Sequence, residues 1–261
     1  MRLIDTHAHL FADEFAADYS DAIARAQSAG VEHIFLQNID ASTIDALHRL
    51  ERQYPPVCHA FMGIHPTSVT ENYKKEIARF DAAIAARNYI GIGEIGLDLY
   101  WSSEFFKEQK KVFEYQIAIS IEKELPVAIH CRDAFAEIVE SLRQFDASKL
   151  NGIFHSFTGT PDEAETIFSL GNFVLGINGI VTYKSATFAN TLNQIPLSKI
   201  VLETDCPYLS PVPHQGKRNE SSYLPYIVNR LSEVYQILPT EIAETTTQNV
   251  KKMFPSLIDR K

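Results

Sequence analysis

The sequence predicts a (β/α)8 barrel, and three observations support this fold class. Its 261 residues are the length that such a barrel needs almost without insertions. Short apolar runs typical of β-strands alternate eight times with segments of helical periodicity. Imidazoles and carboxylates follow the first, fourth, fifth, sixth and eighth of these runs. Periodicity alone would also allow an open doubly wound sheet, but only a closed barrel brings ligands on the first and last strands together.

The first four strand–helix pairs follow from apolar runs and the helical stripes between them. The strands are RLID, VEHIFL, VCHAFMGI and YIGIG. Gly30 is expected to end the first helix, because glycine readily adopts the left-handed conformation that closes a helix. The four helices are predicted over residues 11–29, 41–52, 74–87 and 103–123.

The second half of the chain repeats this alternation. PVAIH precedes a helix that begins at Ala134, and GIFH precedes a helix after Pro161, which suits a first helical turn because it has no N–H to satisfy. NFVLGI is followed by a helix over 186–193, and KIVLET by helices over 223–235 and 239–253. No linker-like composition or repeat interrupts the chain, so we expect residues 1–261 to form one domain.

Charge and cysteine content narrow the class of protein. The net charge of −9 argues against a protein that coats nucleic acid, because such binding depends on lysines and arginines that neutralise phosphates. It is compatible with an enzyme that binds one phosphodiester locally. Three widely spaced cysteines without a CxxC motif indicate reduced thiols and a cytoplasmic location. Cys131 and Cys206 directly follow candidate metal ligands on strands, so we expect them to point outward. We expect neither a secretory signal nor a membrane helix.

The candidate metal ligands begin with His7 and His9, which are two residues apart and therefore project from one face of a strand. The ends of later strands carry two more histidines and several carboxylates. These side chains bind zinc and other divalent metals. The predicted ligands are His7, His9, Glu94, His130, His155 and Asp205, and Glu203 is an outer member of the same row.

Glu94 lies between glycines in GEIGLD, where its carboxylate could bridge two ions. The expected ligands are His7, His9, Glu94 and Asp205 for one ion, and Glu94, His130 and His155 for the other. Each ion would keep an open position, as in catalytic sites, and magnesium, manganese and zinc all suit the donors. Two cations about 3.5–4 Å apart would activate a water molecule. Glu94 and Asp205 are the predicted catalytic residues, with Asp205 as the proton acceptor.

Three further basic residues are candidates for substrate contacts. His65 in GIHP follows the third strand and either contacts substrate or caps a loop. Arg132 lies two residues after His130 on the same face and could hold a phosphate. Arg218 follows the eighth strand, where barrel enzymes often bind phosphate, or it belongs to an ordinary solvated loop. The histidines expected to be packed or on the surface are His33, His48 and His59.

Seven segments together resemble the TatD family of metal-dependent deoxyribonucleases, a branch of the amidohydrolase-like barrels. They are DTHAHL, GIHP, GEIGLD, AIHCRD, HSFTG, LETDCPYLSP and RNESSYLPYI, in this order. The resemblance implies the same metal ligands and divalent-metal-dependent hydrolysis of DNA phosphodiesters, often from the 3′ end, with some members acting on RNA. It also implies that His65, Arg132 and Glu203 lie near the substrate, with Glu203 as an additional candidate metal contact. We expect no association with a membrane, because no apolar stretch is long enough to span one, and the sequence gives no sign of an obligate protein partner.

The residue at the bridging position separates this sequence from other amidohydrolase-like barrels. Related enzymes commonly bridge two metals with a carboxylated lysine where this sequence has Glu94, and the glutamate favours phosphoester chemistry. Two alternatives stay open at this point. The same centre could hydrolyse another ester, a lactone or an amide, because a fold does not determine a substrate. A protein could also retain the site for binding alone, although every predicted ligand position is filled.

Overall fold

A computed structural model describes residues 1–255 and 257 of the chain. Its eight strands form one parallel sheet in which each strand pairs with the next one along the chain. The strands are β1 (Leu3–Ala8), β2 (Val31–Leu36), β3 (Cys58–Met62), β4 (Gly91–Asp98), β5 (Val127–Arg132), β6 (Asn151–Phe154), β7 (Asn172–Ile177) and β8 (Ile200–Leu202).

The sheet closes where the end of β1 meets the residues that follow β8. Ala8 and Cys206 form a parallel bridge. The backbone N–H of Asp205 donates to the His7 carbonyl at 2.8 Å, and that of His9 donates to the Cys206 carbonyl at 2.8 Å. The predicted (β/α)8 barrel, in which the first and last strands converge, is therefore confirmed.

A buried carboxylate reinforces this closure. Asp5 is fully buried in β1, and its two oxygens accept hydrogen bonds from the backbone N–H of Thr204 at 2.9 Å and from the Thr204 hydroxyl at 2.6 Å. The Thr6 hydroxyl donates to the Leu202 carbonyl at 3.0 Å. Because these bonds join the first strand to the last, they fix where along the barrel axis the polar residues after β8 face those of β1.

Helices cover the outside of the sheet, and most begin and end close to the predicted residues. Thr160 and Glu163 form a capping box at the start of α6, where Pro161 occupies the first turn as expected. The helices are α1 (Tyr19–Ser28), α2 (Ile44–Gln53), α3 (Tyr73–Ala86), α4 (Phe106–Lys123), α5 (Phe135–Leu142), α6 (Pro161–Leu170), α7 (Leu224–Tyr235) and α8 (Pro239–Met253).

Two of the predicted helices are wrong in part. Residues 11–18 do not belong to α1, because Asp13–Phe15 form a short 3-10 helix that buries Phe15 beneath the Arg218 guanidinium. Residues 186–193 contain two 3-10 helices in place of an α-helix. In the second of them the Leu192 carbonyl accepts from the Ile195 N–H at 3.0 Å, the tighter 3-10 pattern, and also from the Tyr235 hydroxyl at 2.8 Å.

Apolar side chains fill the N-terminal end of the barrel. The rings of Phe35 and Phe61 pack against Phe254, which follows α8, with ring centroids 4.8 and 5.8 Å from that of Phe254. The side chains of the predicted metal ligands lie at the other end, where the strands finish. In the part of the chain that the structure describes, no helix combines the length and the apolar character that crossing a membrane requires.

Candidate metal centre

The six predicted ligands meet at the C-terminal ends of the strands, as the sequence predicts for a barrel site. β1 and the residue after it supply His7 and His9, while β4 and β5 supply Glu94 and His130. The side chains of His7 and Glu94 are almost inaccessible, with exposed fractions of 1% and 3%, and that of His130 is 15% exposed. His155 follows β6 directly, and Asp205 comes just after β8.

The Glu94 carboxylate lies at the middle of the cluster, with one oxygen toward each of two groups of nitrogens. Its Oε2 is 3.1 Å from Nε2 of His7 and 3.6 Å from Nε2 of His9. Its Oε1 is 3.0 Å from Nδ1 of His130 and 3.4 Å from Nε2 of His65. A carboxylate with this arrangement can serve two cations with separate oxygens.

Asp205 faces the same cluster from the β8 side. Its Oδ1 lies 3.5 Å from Nε2 of His9 and 3.7 Å from Nε2 of His7, and its Oδ2 lies 4.0 Å from Nε2 of His155. The Asp205 side chain is 14% exposed, against 3% for Glu94. Its backbone has a φ of 60°, a strained conformation for a residue with a side chain, and such residues cluster at functional sites.

The chemistry of these donors fits divalent cations. The Nε2 atoms of His7 and His9 are only 3.2 Å apart, so at most one proton can lie between them and their lone pairs otherwise repel. A cation bound by both nitrogens would remove that repulsion, and the buried carboxylates would balance its charge. Among the residues that the structure describes, three overlapping donor groups have ligand atoms within 4.8 Å of one another: His7, His9 and Glu94; His7, His155 and Glu203; and His65, Glu94 and His130.

The third of these groups includes His65, which the sequence analysis placed among the substrate contacts. The backbone before it is fixed by Gln116 of α4, whose Oε1 accepts from the Ile64 N–H at 2.7 Å and whose Nε2 donates to the Ile64 carbonyl at 3.3 Å. These bonds hold the segment that follows β3 against α4. His65 is therefore close enough to Glu94 to act as a ligand as well as a contact to substrate.

Asp98 is a further functional candidate that was not predicted from the sequence. It is 1% exposed, and its Oδ2 lies 2.9 Å from Nε2 of His130, on the side of the ring opposite Glu94. Gln109 of α4 fixes its backbone, accepting from the Asp98 N–H at 3.0 Å and donating to its carbonyl at 3.2 Å. The signal was present in GEIGLD, because a residue four positions after Glu94 on a strand projects from the same face.

Glu203 lies behind His155 and is completely buried. Its Oε1 is 3.0 Å from Nδ1 of His155 and accepts from the Ser156 N–H at 2.7 Å. Gly176 of β7 leaves the room for this side chain, since a Cβ there would collide with the Glu203 carboxylate. Glu203 thus orients the imidazole and belongs to one of the groups that could hold a metal ion, and its contact with substrate stays a prediction.

The electrostatics of His155 reflect this crowding of carboxylates. Burial lowers the pKa of His155, but the nearby charges of Glu203, Asp205 and Glu94 outweigh it and raise the pKa to about 10. The same carboxylates would attract a divalent cation. The His155 ring also stacks on that of His7, with centroids 3.7 Å apart, which fixes the face that it presents to the cluster.

The two arginines predicted to contact phosphate differ in their surroundings. Arg132 is exposed at the end of β5, with its guanidinium 3.9 Å from the Tyr100 ring centroid. Arg218 instead donates to both oxygens of Asp18, at 2.6 and 2.7 Å, and lies 4.4 Å from the Phe15 ring centroid. A phosphate at Arg218 would have to compete with Asp18, whereas the described residues offer Arg132 no carboxylate within 4.0 Å.

The remaining residues singled out by the sequence lie away from the cluster. Cys206 is buried with its Sγ 3.9 Å from the Ser221 hydroxyl, and Cys131 borders a cavity beside α5 and α6. Both cysteines therefore pack outward as expected. His33 and His59 contact each other at 2.9 Å, and His48 bonds the Tyr89 hydroxyl at 2.7 Å, so these histidines are packed or surface residues.

A (β/α)8 barrel with histidines and carboxylates gathered at the ends of its strands is the arrangement expected of a metal-dependent hydrolase. Residues 4–255 match the family model for the TatD related DNases. The chain is 36% identical to the uncharacterized metal-dependent hydrolase YabD of Bacillus subtilis, over 97% of this chain and 98% of YabD. It is 31% identical to the 3′-5′ ssDNA/RNA exonuclease TatD of Yersinia pseudotuberculosis, over 97% of this chain and 99% of that protein.

Structural similarity leads to the same family. The crystal structure of YjjV, a TatD homologue from Escherichia coli K12, superposes with a TM-score of 0.89 at 27% sequence identity, over 97% of this chain and 98% of YjjV. The chain therefore belongs to the TatD family of metal-dependent hydrolases. The family resemblance inferred from the sequence motifs is confirmed.

Proposed function

We propose that the chain hydrolyses phosphodiester bonds of single-stranded DNA, and of RNA as a second substrate, from the 3′ end, using two divalent metal ions. The observation that carries the proposal is the position of Glu94, whose two oxygens face two separate groups of histidines. The name of the Yersinia pseudotuberculosis relative, an exonuclease of single-stranded DNA and RNA, supports the choice of substrate.

The residues present suggest how two cations would be held. His7, His9 and Asp205 would bind one ion together with Oε2 of Glu94, and His130 would bind the other together with Oε1. His155 and His65 lie 3.6 and 3.4 Å from the same Oε1 and would complete the second site. Bound magnesium, manganese or zinc would supply Lewis-acid stabilisation of the phosphate oxygens and lower the pKa of a water molecule.

Asp205 is the residue that we assign as proton acceptor for the attacking water. It is the more accessible of the two central carboxylates, and its backbone is fixed on β1 through the His7 carbonyl. A general base must reach the proton that it removes, and a carboxylate at the mouth of the barrel meets that requirement. Glu94, being almost fully buried, is suited to hold the two groups of histidines at a constant separation.

Phosphate binding is assigned to Arg132 and His65. The Arg132 guanidinium is exposed and free of a carboxylate partner among the described residues, so its charge is available to a phosphate. His65 lies at the same mouth with 12% of its side chain exposed. Arg218 is a weaker candidate than the sequence suggested, because Asp18 already binds its guanidinium through two hydrogen bonds. Local contacts of this kind are compatible with a net charge of −9.

A metal-titrated assay on labelled oligonucleotides tests the proposal. Chelator-treated protein is supplied separately with Mg²⁺, Mn²⁺ or Zn²⁺ and given 3′- or 5′-labelled single strands of DNA and RNA. Stepwise shortening from the 3′ end that depends on added metal is the expected result. Turnover of lactones or simple esters with the oligonucleotides intact would assign the centre to another bond. Failure to bind metal, with no hydrolysis of either class, would leave only a binding role.

A further inference from the structure

Two large aromatic side chains stand exposed beside the candidate metal centre. Tyr100 is 54% and Trp101 is 68% exposed, in the turn that follows β4. Their rings meet edge to face, with centroids 5.0 Å apart and an interplanar angle of 84°. The Arg132 guanidinium lies 3.9 Å from the Tyr100 centroid and 5.3 Å from that of Trp101. We call Tyr100, Trp101 and Arg132 the aromatic rim.

The rim is tied to the metal centre through a single carboxylate. Oδ1 of Asp98 accepts from the backbone N–H groups of Tyr100 and Trp101, each at 3.1 Å. Oδ2 of the same residue lies 2.9 Å from Nε2 of His130, whose Nδ1 faces Glu94. One buried side chain therefore sets the distance between the exposed rings and the candidate ligands. Two aromatic residues exposed by chance would have no such fixed connection to the metal centre.

The chemistry of the rim matches an unpaired nucleotide. Exposed aromatic rings bind bases by stacking, with little dependence on sequence because every base has a π-face. Arg132 carries a positive charge that the described residues leave without a carboxylate partner, and a guanidinium suits a phosphate. Bases inside a duplex keep their faces covered by their neighbours. A rim of this composition consequently selects single-stranded ends.

We propose that the aromatic rim stacks an unpaired base of the substrate next to the phosphate that is cleaved, with Arg132 holding a backbone phosphate. The proposal rests on the nuclease function proposed above and deepens it by assigning a base-binding subsite. Neither Tyr100 nor Trp101 contacts the reacting atoms. Both act by positioning the strand, and their contribution is expected in binding of substrates that carry a base.

Direct binding can be followed through Trp101, because it is the only tryptophan in the chain. The protein is titrated, with chelator and with Mg²⁺, against a single-stranded oligonucleotide whose phosphorothioate 3′ linkages resist hydrolysis. The comparison strand carries abasic residues at the last three 3′ positions. Quenching of Trp101 fluorescence by the normal strand at concentrations where the abasic strand gives none is the expected result. Equal quenching by both strands would overturn the proposal.

Cleavage kinetics of Trp101 variants provide a second, independent test of the base-binding subsite. For Trp101→Ala, kcat/KM on the normal strand should fall roughly 5- to 150-fold, the range that loss of one stacked base produces. The same variant should cleave the abasic-ended strand as the wild type does, and Trp101→Phe should restore most of the loss. Leu238→Ala is the matched control, because Leu238 is an exposed apolar side chain (65%) far from the aromatic rim. It lies two residues before Thr240, which borders a cavity with Met1 at the opposite end of the barrel.

The outcomes distinguish failure of the base-binding subsite from failure of the nuclease function. A wild type that cleaves neither strand refutes the nuclease function, and the fluorescence titration then decides the base-binding subsite by itself. A Trp101→Ala loss that is equal for both strands shows that the rim does not bind a base. A Trp101 signal that changes with protein concentration in the absence of DNA, but not with added strand, would show that the rim contacts a second copy of the chain and would also overturn the proposal.

Discussion

Asp98 and His130 form a buried pair in which Oδ2 of the carboxylate lies 2.9 Å from Nε2 of the imidazole. The other ring nitrogen, Nδ1, is 3.0 Å from Glu94. Burial raises the pKa of the Asp98 carboxyl, but the hydrogen bonds with His130 and with the Trp101 N–H, together with the charges of His130 and His65, outweigh it and lower the pKa below its usual value. An ionised carboxylate fixes the proton of His130 on Nε2, which leaves the lone pair of Nδ1 directed toward the centre.

Replacing Asp98 should weaken metal binding without removing a ligand. In Asp98→Ala, His130 loses the partner that orients its ring, and loss of such a partner typically costs about 10- to 100-fold in metal affinity. Titration of chelator-treated protein with Zn²⁺ or Mn²⁺, followed by calorimetry, measures this change. Asp133→Ala, one residue after Arg132 and exposed, is the control. Unaltered affinity in Asp98→Ala would refute the positioning role.

The two central carboxylates should fail in different ways. Asp205→Asn is expected to lower kcat by about 100- to 10,000-fold while retaining metal, because an amide can still coordinate through oxygen but cannot accept the proton. Glu94→Ala removes both oxygens that face the histidines, so it should lose bound metal together with activity. Metal content by elemental analysis and kcat on a labelled oligonucleotide distinguish the two. Near-normal turnover in either variant contradicts the role assigned to that residue.

Much of the barrel and its ligands could be predicted because both depend on short-range periodicity. Apolar runs locate the strands, and a parallel barrel places every strand end at one face, so His7 and Asp205 could be brought together from opposite ends of the sequence. The predicted helix over 186–193 is wrong, because two 3-10 helices occupy this stretch. The Leu192 carbonyl there accepts from the Tyr235 hydroxyl, which lies 43 residues further along the chain and which helical periodicity does not reveal.

Residues that act through another side chain were harder to predict. Glu203 was recognised by its position in the row, but its depth behind His155 depends on the absence of a side chain at Gly176 on the neighbouring strand. The Asp18 partner of Arg218 lies 200 residues away in sequence. Such contacts are set by tertiary packing, and no local spacing in the sequence encodes them.

Gln116 offers a test of how the barrel supports His65. Its amide satisfies both the N–H and the carbonyl of Ile64, and it is fully buried in α4. Gln116→Leu should therefore lower the free energy of unfolding by about 1–3 kcal/mol, the cost of leaving buried polar groups without partners. Denaturant unfolding measures the loss. Gln144→Leu, at an exposed position, is the control, and equal stability of the two variants would argue against this role.

The Asp18–Arg218 pair should contribute to stability in a pH-dependent manner. The hydrogen bond from Arg218 is the main cause that lowers the pKa of the Asp18 carboxyl from 3.8 to about 2. A carboxylate with a lowered pKa stabilises the folded state fully above its unfolded pKa, and this contribution disappears as the pH falls from 3.8 toward 2. Arg218→Ala should consequently lower the free energy of unfolding at pH 7 by at most about 1 kcal/mol, because the pair is partly exposed to solvent.

At pH 2.5 the stability of Arg218→Ala should approach that of the wild type, whereas at pH 5 the full difference should persist. Urea unfolding at the three pH values measures this difference in stability. Arg230→Ala, which removes a surface pair with Glu233, is the control.

Arg218→Ala also distinguishes the two roles considered for Arg218, a structural partner of Asp18 and a phosphate contact. Because Asp18 already occupies its guanidinium, KM for an oligonucleotide should stay within about 2-fold of the wild type, well below the cost of a lost charge-assisted hydrogen bond. A tenfold rise in KM with unchanged stability would instead show that Arg218 exchanges Asp18 for a substrate phosphate.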